Sequence, residues 1–413
     1  MKERDQFVAV ASIALFLLYF VYDIPAAINS SIAFGGSPAT AHQVAVLYTA
    51  YALPNTVCPL AFGHLHGFIR NGILFILATF VFLGQAIFTT AILMESISLA
   101  ALGRVFYGIG LESFFVFCES RITAYYAGSE LAVATGLFLS IGRLGTVFTF
   151  YFSPQTALSY GAIFLCKGGF VLICLAAALM TSLFTYKSPK DEDESEETPV
   201  SAPVSDSHLL FLVYQCVFLF GAIWAPFYNI APLMLQIRFS FSQVEAGRFL
   251  GCVEGSSIFL QSLVGLFVDH CGYKLFVVLA SALLILVAHA NFLLRFASVP
   301  VSIGALALAA PMMACYWPCI PKVVSPSQLP MTLSRISCLL NLAYTVSPLV
   351  ASLLLRISPD YSAAELYICG LICVLLYKIV GLIWANQKLG GGLNEPEISK
   401  RCKGDTNQND TSV

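Results

Sequence analysis

Charged residues are scarce in this chain of 413 residues, since Asp, Glu, Lys and Arg make up 11% of it while hydrophobic residues make up 58%. Soluble globular domains carry about 25% charged residues, so this composition excludes a mainly water-facing fold. The 21 basic and 23 acidic residues give a net charge of -2 and form no basic patch, which excludes a nucleic-acid interface. The sequence therefore predicts an integral membrane protein.

Metal-binding and catalytic motifs are also missing. The chain has 13 cysteines, but most lie inside apolar runs, and Cys315 and Cys319 in "ACYWPCIP" do not have the C-x-x-C spacing. Free, buried thiols are the expected state of such cysteines. No nucleophile with a nearby base stands out in the sequence either. We expect neither an enzyme nor a bound metal or other cofactor.

Long apolar runs are abundant. A helix needs about 20 apolar residues to cross a hydrocarbon core of about 30 Å. Segments of that kind lie between turn or charge signals at residues 7–28, 43–63, 72–94, 98–126, 131–152, 159–186, 208–236, 244–268, 273–294, 299–320, 331–354 and 362–386. The sequence thus predicts an all-α membrane fold with 12 transmembrane helices.

One hydrophilic interruption divides these spans into six and six. The stretch "YKSPKDEDESEETPVSAPVSDSH" is rich in charge, Ser and Pro, which is typical of a flexible linker. The predicted organisation is an N-terminal six-helix half at 1–186, a cytosolic flexible linker at 187–207, a C-terminal six-helix half at 208–387 and a cytosolic tail at 388–413. The two halves would form one fold of six plus six helices.

The distribution of Lys and Arg predicts the orientation, because short cytosolic loops retain positive charge. If both termini are cytosolic, the basic residues inside are Lys2, Arg4, Arg70, Lys187, Lys190, Lys274, Lys388, Lys400, Arg401 and Lys403. The other side receives mainly Arg238, Arg295 and Arg356. The opening "MKERDQ" precedes an apolar run with no small-residue cleavage site, so we expect a retained first span and not a signal peptide.

A pattern of glycine and charge stands between the eighth and ninth spans. In "GLFVDHCGYK", Gly265, Asp269, Gly272 and Lys274 form G-x-x-x-D-x-x-G-x-K, whereas "FGHLHGFIRNG" at the matching place in the first half lacks the Asp. We predict a hinge between helices, in which glycine admits close packing and Asp269 pairs with a helix end when a gate is shut. The alternative is an ordinary short basic loop that contains glycine.

The six-plus-six pattern, this loop and Arg104 in "GRVFYGIG" resemble the major facilitator superfamily. Four segments resemble the branch of this superfamily that is typified by major facilitator superfamily domain-containing protein 1: "VYDIPAAI", "GRVFYGIGLES", "LSIGRLGTV" and "KLGGGLN". The resemblance implies a lysosomal dipeptide uniporter. The resemblance covers about residues 15 to 395. It implies alternating access, a dipeptide substrate, a lysosomal or vacuolar membrane with the plasma membrane as alternative, and a glycosylated accessory subunit as a possible partner.

The resemblance places the substrate-binding carboxylate of the family at Glu112 and its substrate-binding guanidinium at Arg143. Both residues lie near the middle of their predicted spans, where a charge costs about 2.5–3.5 kcal/mol and is usually retained for binding. Gly136, Ser140 and Arg143 follow i, i+4, i+7 spacing and predict a small, polar cavity face. The alternative is an ion pair between Glu112 and Arg143 that only joins two helices.

Weaker candidates for the substrate site are Asp23, Tyr228 and Trp317. Asp23 lies beside Pro25 near the end of the first span, where it would coordinate substrate or a proton, or else cap a helix. Tyr228 and Trp317 lie in matching helices of the second half, where they would form an aromatic wall, although membrane aromatics also serve packing.

Three charged residues of the fourth span are interpreted as structural or gating residues. Glu119 and Arg121 are expected to form an ion pair toward the cytosolic end, and Arg104 is expected to organise helix ends.

Two other functions of the protein remain open. One is a proton-coupled symporter of another small solute, an organic anion or sugar, in which Asp23 or Glu112 is protonated. The other is a membrane scaffold or sensor without transport, against which the midplane charges Glu112 and Arg143 argue.

Overall fold

The computed structural model describes residues 2–58, 61, 72–126, 128–186, 207–325 and 328–396. Two compact units emerge from these residues. The first unit combines Met1–Val200, Gly221–Cys252 and Leu333–Ala364, and the second combines Ser201–Phe220, Val253–Thr332 and Glu365–Val413. The predicted linker and the predicted loop "FGHLHGFIRNG" fall almost entirely outside the described residues.

The fold is helical. Its helices are α1 (Glu3–Tyr22), α2 (Ile24–Ala27), α3 (Ala41–Ala52), α4 (Ile73–Leu93), α5 (Ile97–Tyr125), α6 (Gly128–Tyr160), α7 (Ala162–Ser182), α8 (Ser207–Phe239), α9 (Gln243–Cys271), α10 (Lys274–Leu294), α11 (Val299–Met313), α12 (Ile320–Val323), α13 (Leu329–Leu354) and α14 (Ser362–Lys388). A short antiparallel hairpin of β1 (Ala33–Phe34) and β2 (Ser37–Pro38) follows α2.

Eleven helical segments of the described chain are long and apolar enough to cross a membrane. They correspond to eleven of the twelve predicted spans, and the chain is a multi-pass membrane protein. The predicted span 43–63 continues into positions that the structure does not describe. Its described part contains most of α3 and a 3-10 helix at Pro54–Thr56. The twelve described cysteines are free thiols, and half of them are buried.

Three predicted spans are interrupted near a proline within the described residues. In the second, 43–63, α3 ends at Ala52 and a 3-10 helix begins at Pro54. The first, 7–28, breaks at Asp23 between α1 and α2, because Pro25 has no N–H to continue the α-helical hydrogen bonding. The tenth, 299–320, changes to a 3-10 helix at Ala314–Cys319, a segment that contains Pro318. A prediction of spans from hydropathy alone misses these breaks, although the prolines mark them in the sequence.

Glycine sets the distance between α4 and α5. A Cβ on Gly84 would lie 2.5 Å from the backbone nitrogen of Tyr107, and one on Gly103 would lie 2.7 Å from the carbonyl oxygen of Gly84. Small residues at such crossings let helix backbones approach closely inside a membrane. The crossing fixes α5, the helix that carries Glu112.

Side chains from distant parts of the sequence join the first unit beyond the C-terminal end of α1. The Gln243 amide oxygen accepts hydrogen bonds from the hydroxyls of Ser30 at 2.6 Å and Ser31 at 3.0 Å. Its amide nitrogen donates to the Ala27 carbonyl at 3.4 Å. Gln243 is buried and opens α9, so this clasp connects the chain after α2 to the start of α9.

A second connection at this end joins α3 to α13. The Ser352 hydroxyl donates to the Leu349 carbonyl, so its oxygen is left to accept a hydrogen bond from His42 Nδ1 at 3.0 Å. Because Nδ1 is then the donor, the contact is compatible with both the neutral and the protonated ring. The Thr49 hydroxyl also donates to the Thr345 carbonyl at 3.0 Å. These contacts thus join α3, which precedes the predicted linker, to α13, which follows it.

An ion pair fixes the loop between α13 and α14. Arg238 Nη1 lies 2.9 Å from Asp360 Oδ2, and the hydroxyls of Ser358 and Ser362 also bond to the Asp360 carboxylate. These hydrogen bonds, from Ser358 first and then Ser362, hold the pKa of Asp360 below its usual range. The carboxylate therefore stays ionised in a mildly acidic compartment.

We expect Gly103→Ala to destabilise the protein by about 1–3 kcal/mol, because the added methyl group meets the backbone of α4. Gly168→Ala is the matched control, since a Cβ on Gly168 meets nothing within 4 Å. Thermal unfolding in detergent measures both. Equal melting temperatures for the two variants would contradict the close crossing.

Asp360→Asn should lower the melting temperature by the same amount at about pH 7 and about pH 5, because a carboxyl group with a depressed pKa is ionised at both. The group stabilises the fold above its unfolded pKa of about 3.9 and loses that effect as pH falls through the folded value. A difference between wild type and variant that already vanishes at about pH 5 would contradict the depressed pKa.

Candidate functional site

Glu112 lies in the middle of α5, where the apolar sequence around it makes a carboxylate exceptional. Its side chain is hydrogen-bonded: Oε1 accepts a hydrogen bond of 2.8 Å from the Tyr51 hydroxyl at the end of α3. Tyr51 is 2% exposed, whereas Glu112 is half-buried. One carboxylate oxygen is therefore held by the protein, and the group has a defined orientation.

Arg104, two turns earlier on α5, lies in a cage of four tyrosine rings. Its guanidinium carbon is 5.0 to 5.4 Å from the ring centroids of Tyr22, Tyr48, Tyr51 and Tyr107. One guanidinium nitrogen donates to the Tyr22 carbonyl at 3.0 Å, at the last residue of α1. The cation thus meets the negative end of α1 and the negative faces of the rings, which stabilises its burial.

Asp23 lies at the break between α1 and α2 and is 7% exposed. Its side chain makes no capping hydrogen bond to α2. Instead, Oδ2 accepts a hydrogen bond of 2.7 Å from the Thr146 hydroxyl on α6, and the Tyr48 hydroxyl also bonds to the carboxylate. Asp23 therefore joins α1, α3 and α6 beside the Arg104 cage.

Arg143 lies on α6 and is exposed, as is Gly136, while Ser140 is half-buried. No atom lies within 4 Å of a Cβ placed on Gly136. The predicted small, polar face of α6 therefore has open space at Gly136. Glu112 on α5 and Arg143 on α6 both belong to the first unit.

Aromatic side chains of α8 extend the first unit near this region. Tyr228 lies 5.5 Å from Trp224 and 6.1 Å from Phe150, measured between ring centroids. Trp317 belongs to the second unit, where it stacks on Tyr316 at 5.0 Å in the 3-10 segment.

The two charged residues near the end of α5 differ in burial. Arg121 is 4% exposed, and its guanidinium carbon lies 5.4 Å from the Phe117 ring centroid. Glu119 is half-buried and lies within the electrostatic range of Glu112. The predicted pairing of Glu119 with Arg121 stays a prediction.

The glycines of the G-x-x-x-D-x-x-G-x-K loop in the second unit differ in role. A Cβ on Gly265 would meet nothing within 4 Å. Gly272 has a φ of +77°, and a Cβ there would lie 2.2 Å from the Asn394 carbonyl oxygen. The segment after α14 thus makes the close approach at Gly272. This differs from the predicted hinge, in which glycine admits close packing between helices. Asp269 is half-buried and Lys274 is fully buried at the start of α10.

Asn394 caps the N-terminal end of α10. Its carbonyl accepts from the backbone N–H of Tyr273 at 2.9 Å, and its side-chain oxygen accepts from that of Leu275 at 2.9 Å. Leu393 beside it is 3% exposed, and its N–H donates to the Asn386 side chain at 3.1 Å. The segment "KLGGGLN" therefore anchors the loop, and its glycines permit the reversal of the chain.

Sequence reasoning missed Tyr51, Trp224, Gln243 and Asn394. Aromatic residues are common in this chain, with 18 Tyr and 33 Phe, so Tyr51 carries no distinctive signal. The contacts of Gln243 and Asn394 join residues more than a hundred positions apart, as in the 119 positions between Leu275 and Asn394. A single sequence does not reveal such pairs.

Comparisons with known proteins bear on both fold and function. The sequence profile of the Major Facilitator Superfamily matches residues 11–321. The Mus musculus protein "Lysosomal dipeptide transporter MFSD1" is 28% identical over 401 residues, covering 91% of this chain and 85% of that protein. The Danio rerio protein of the same name is 27% identical over 410 residues, covering 93% and 88%.

Solved structures of similar fold are transporters. The human organic anion transporter MFSD10 (TETRAN) has a TM-score of 0.69 at 14% identity, covering 92% of this chain and all of that one. A D-xylose-proton symporter has a TM-score of 0.69 at 15% identity, covering 91% and 97%. At these identities the likeness shows the fold alone.

We expect Gly272→Ala to destabilise the protein by about 1–3 kcal/mol, because the new methyl group meets Asn394 and the left-handed backbone is strained. Gly265→Ala should be neutral or stabilise by up to about 1 kcal/mol, since an open helix position gains from Ala. Melting temperatures of the two variants test this. Equal losses would show that both glycines serve helix packing.

Proposed function

The chain belongs to the major facilitator superfamily, and from this premise we propose that it is a carrier that moves dipeptides across a membrane. The observation that carries the proposal is the presence in one unit of two opposite charges, the Glu112 carboxylate in the middle of α5 and the Arg143 guanidinium on α6. A free-ended peptide brings the two complementary charges. The relatives named lysosomal dipeptide transporters support the same substrate.

Arg143 holds the substrate carboxylate and Glu112 holds the α-amino group. A guanidinium suits a carboxylate because two parallel hydrogen bonds form between them. An extended chain spans about 3.3–3.6 Å per residue, so the charges of a dipeptide are roughly 6–7 Å apart. A fixed Glu112 to Arg143 separation then rejects single amino acids by length. Tyr228 and Trp224 supply an aromatic surface for substrate side chains.

Transport proceeds by alternating access between two six-helix halves, residues 1–186 and 208–387, joined by the linker 187–207. The Gln243 clasp and the contact between His42 and Ser352 form the gate on the side away from the N-terminus. The zwitterion neutralises both binding charges itself, so no coupling ion is needed, and the carrier is a uniporter. Asp269 and Lys274 belong to the gate on the other side.

The membrane is lysosomal, with both termini in the cytosol. The names of the relatives support the compartment, and the excess of Lys and Arg in the predicted cytosolic segments supports the orientation. The Asp360 carboxylate, ionised at mildly acidic pH, suits the lumenal side.

A proton-coupled symporter is the second candidate function, and the buried Asp23 carboxylate favours it. Asp23 is hydrogen-bonded to Thr146 beside the Arg104 cage, where a proton could bind or leave. Uptake that rises with an imposed pH gradient would support coupling, whereas a uniporter responds only to the substrate gradient.

Blocking each end of the substrate tests the assignment. N-acetylation of a dipeptide should weaken binding to the wild type about tenfold to hundredfold, because a hydrogen bond to a charged group contributes about 1.5–3 kcal/mol. The loss should be small on Glu112→Gln, which no longer offers the charge. C-terminal amides should behave likewise with Arg143→Gln. Ligand-induced thermal stabilisation of the purified protein measures all pairs.

Glu130→Gln is the matched control, because Glu130 is exposed on α6 and paired with Arg4 at 3.0 Å. It should keep the wild-type preference for free ends. Equal binding of blocked and free-ended dipeptides to the wild type would contradict the proposal and leave Glu112 and Arg143 as a pair that joins helices.

A further inference from the structure

The Tyr51 hydroxyl contacts Glu112. It donates to Glu112 Oε1 at 2.8 Å, and its ring belongs to the cage around Arg104 at 5.3 Å. The same side chain therefore contacts two charged residues of α5, the half-buried Glu112 and the buried Arg104. This position separates it from Tyr107, whose hydroxyl donates to the Leu18 carbonyl at 2.6 Å.

The backbone fixes Tyr51 in place. A Cβ on Gly108 would lie 2.3 Å from the Tyr51 carbonyl oxygen, so α3 and α5 touch at a position that only glycine allows. The Asn55 side chain donates to the same carbonyl at 2.9 Å, and the Tyr22 ring packs on the Tyr51 ring at 4.6 Å. The hydroxyl is thus held at Glu112 before any ligand arrives.

The hydroxyl oxygen has acceptor capacity beyond the hydrogen that it donates. Glu112 Oε2 is the second carboxylate oxygen, beside the one bound by Tyr51. A primary ammonium has three N–H donors, so one group of this kind can bond to Glu112 Oε2 and to the Tyr51 oxygen together. Preorganised acceptors of this kind need no reordering on binding.

We propose that Tyr51 is a specificity-determining residue that, with Glu112, forms a two-acceptor site for a primary ammonium group. The inference rests on the proposed function, in which Glu112 holds the substrate amino end. It adds that the site distinguishes primary from N-methylated amines: a methyl group leaves two N–H donors for the two acceptors, so only one orientation can bond to both, and the methyl group adds bulk in the position of the third N–H. N-terminal proline is disfavoured for the same reason.

The test measures binding of a free, an N-methylated and an N-acetylated form of one dipeptide to the wild type, Tyr51→Phe and Tyr107→Phe. The wild type should bind the free form about tenfold more tightly than the N-methylated form. Tyr51→Phe should lose about tenfold for the free form and little for the acetylated form. Tyr107→Phe is the matched control, and it should keep the wild-type ratios even if its melting temperature falls.

Each outcome has a distinct meaning. If the wild type prefers free over acetylated dipeptides but Tyr51→Phe keeps every ratio, Tyr51 is only structural and this inference is overturned while the proposed function stands. If the wild type binds all three forms equally, Glu112 does not read the amino end and the proposed function falls first. Should Tyr51→Phe fail to fold, the wild-type ratio of free to N-methylated dipeptide decides, and a ratio near one overturns the inference.

Discussion

The position of Glu112, half-buried in the middle of an apolar helix, is the constraint on which the rest of the site depends. A carboxylate in such surroundings must be hydrogen-bonded or paired, because an isolated charge in a low-dielectric interior is costly. Tyr51 satisfies one of its oxygens. To bring that hydroxyl to α5, α3 must approach so closely that residue 108 is glycine. Backbone packing and polar chemistry are thus set by the same requirement.

The Arg104 cage solves the same problem for the opposite charge. Four tyrosine rings and the end of α1 surround the guanidinium. Tyr51 contacts both Arg104 and Glu112. In the proposed site, the second oxygen of Glu112 and the guanidinium of Arg143 on α6 bind the two ends of the ligand. Arg104 is buried and Arg143 is exposed, so the different roles proposed for the two arginines follow from their surroundings.

The sequence predicts the helical membrane fold and most span positions, because hydropathy is a strong local signal, whereas the substrate-binding roles of Glu112 and Arg143 stay predictions. Hydropathy does not predict the interruption at Ala314–Cys319, where Pro318 lies in a long apolar run. It also misses the contacts of Asn394 with the start of α10, since nothing local links residues 394 and 275. Tyr51 escapes notice because aromatic residues are ordinary in membrane helices. The roles of Tyr51 and Asn394 depend on tertiary contacts, which a single sequence does not reveal.

A structure of the protein with a bound dipeptide tests the roles of Glu112, Tyr51 and Arg143 most directly. We expect the amino nitrogen within about 3 Å of both Glu112 and Tyr51, and the carboxylate at the Arg143 guanidinium. A complex in which Glu112 and Arg143 bond directly to each other while the peptide lies elsewhere would contradict these roles.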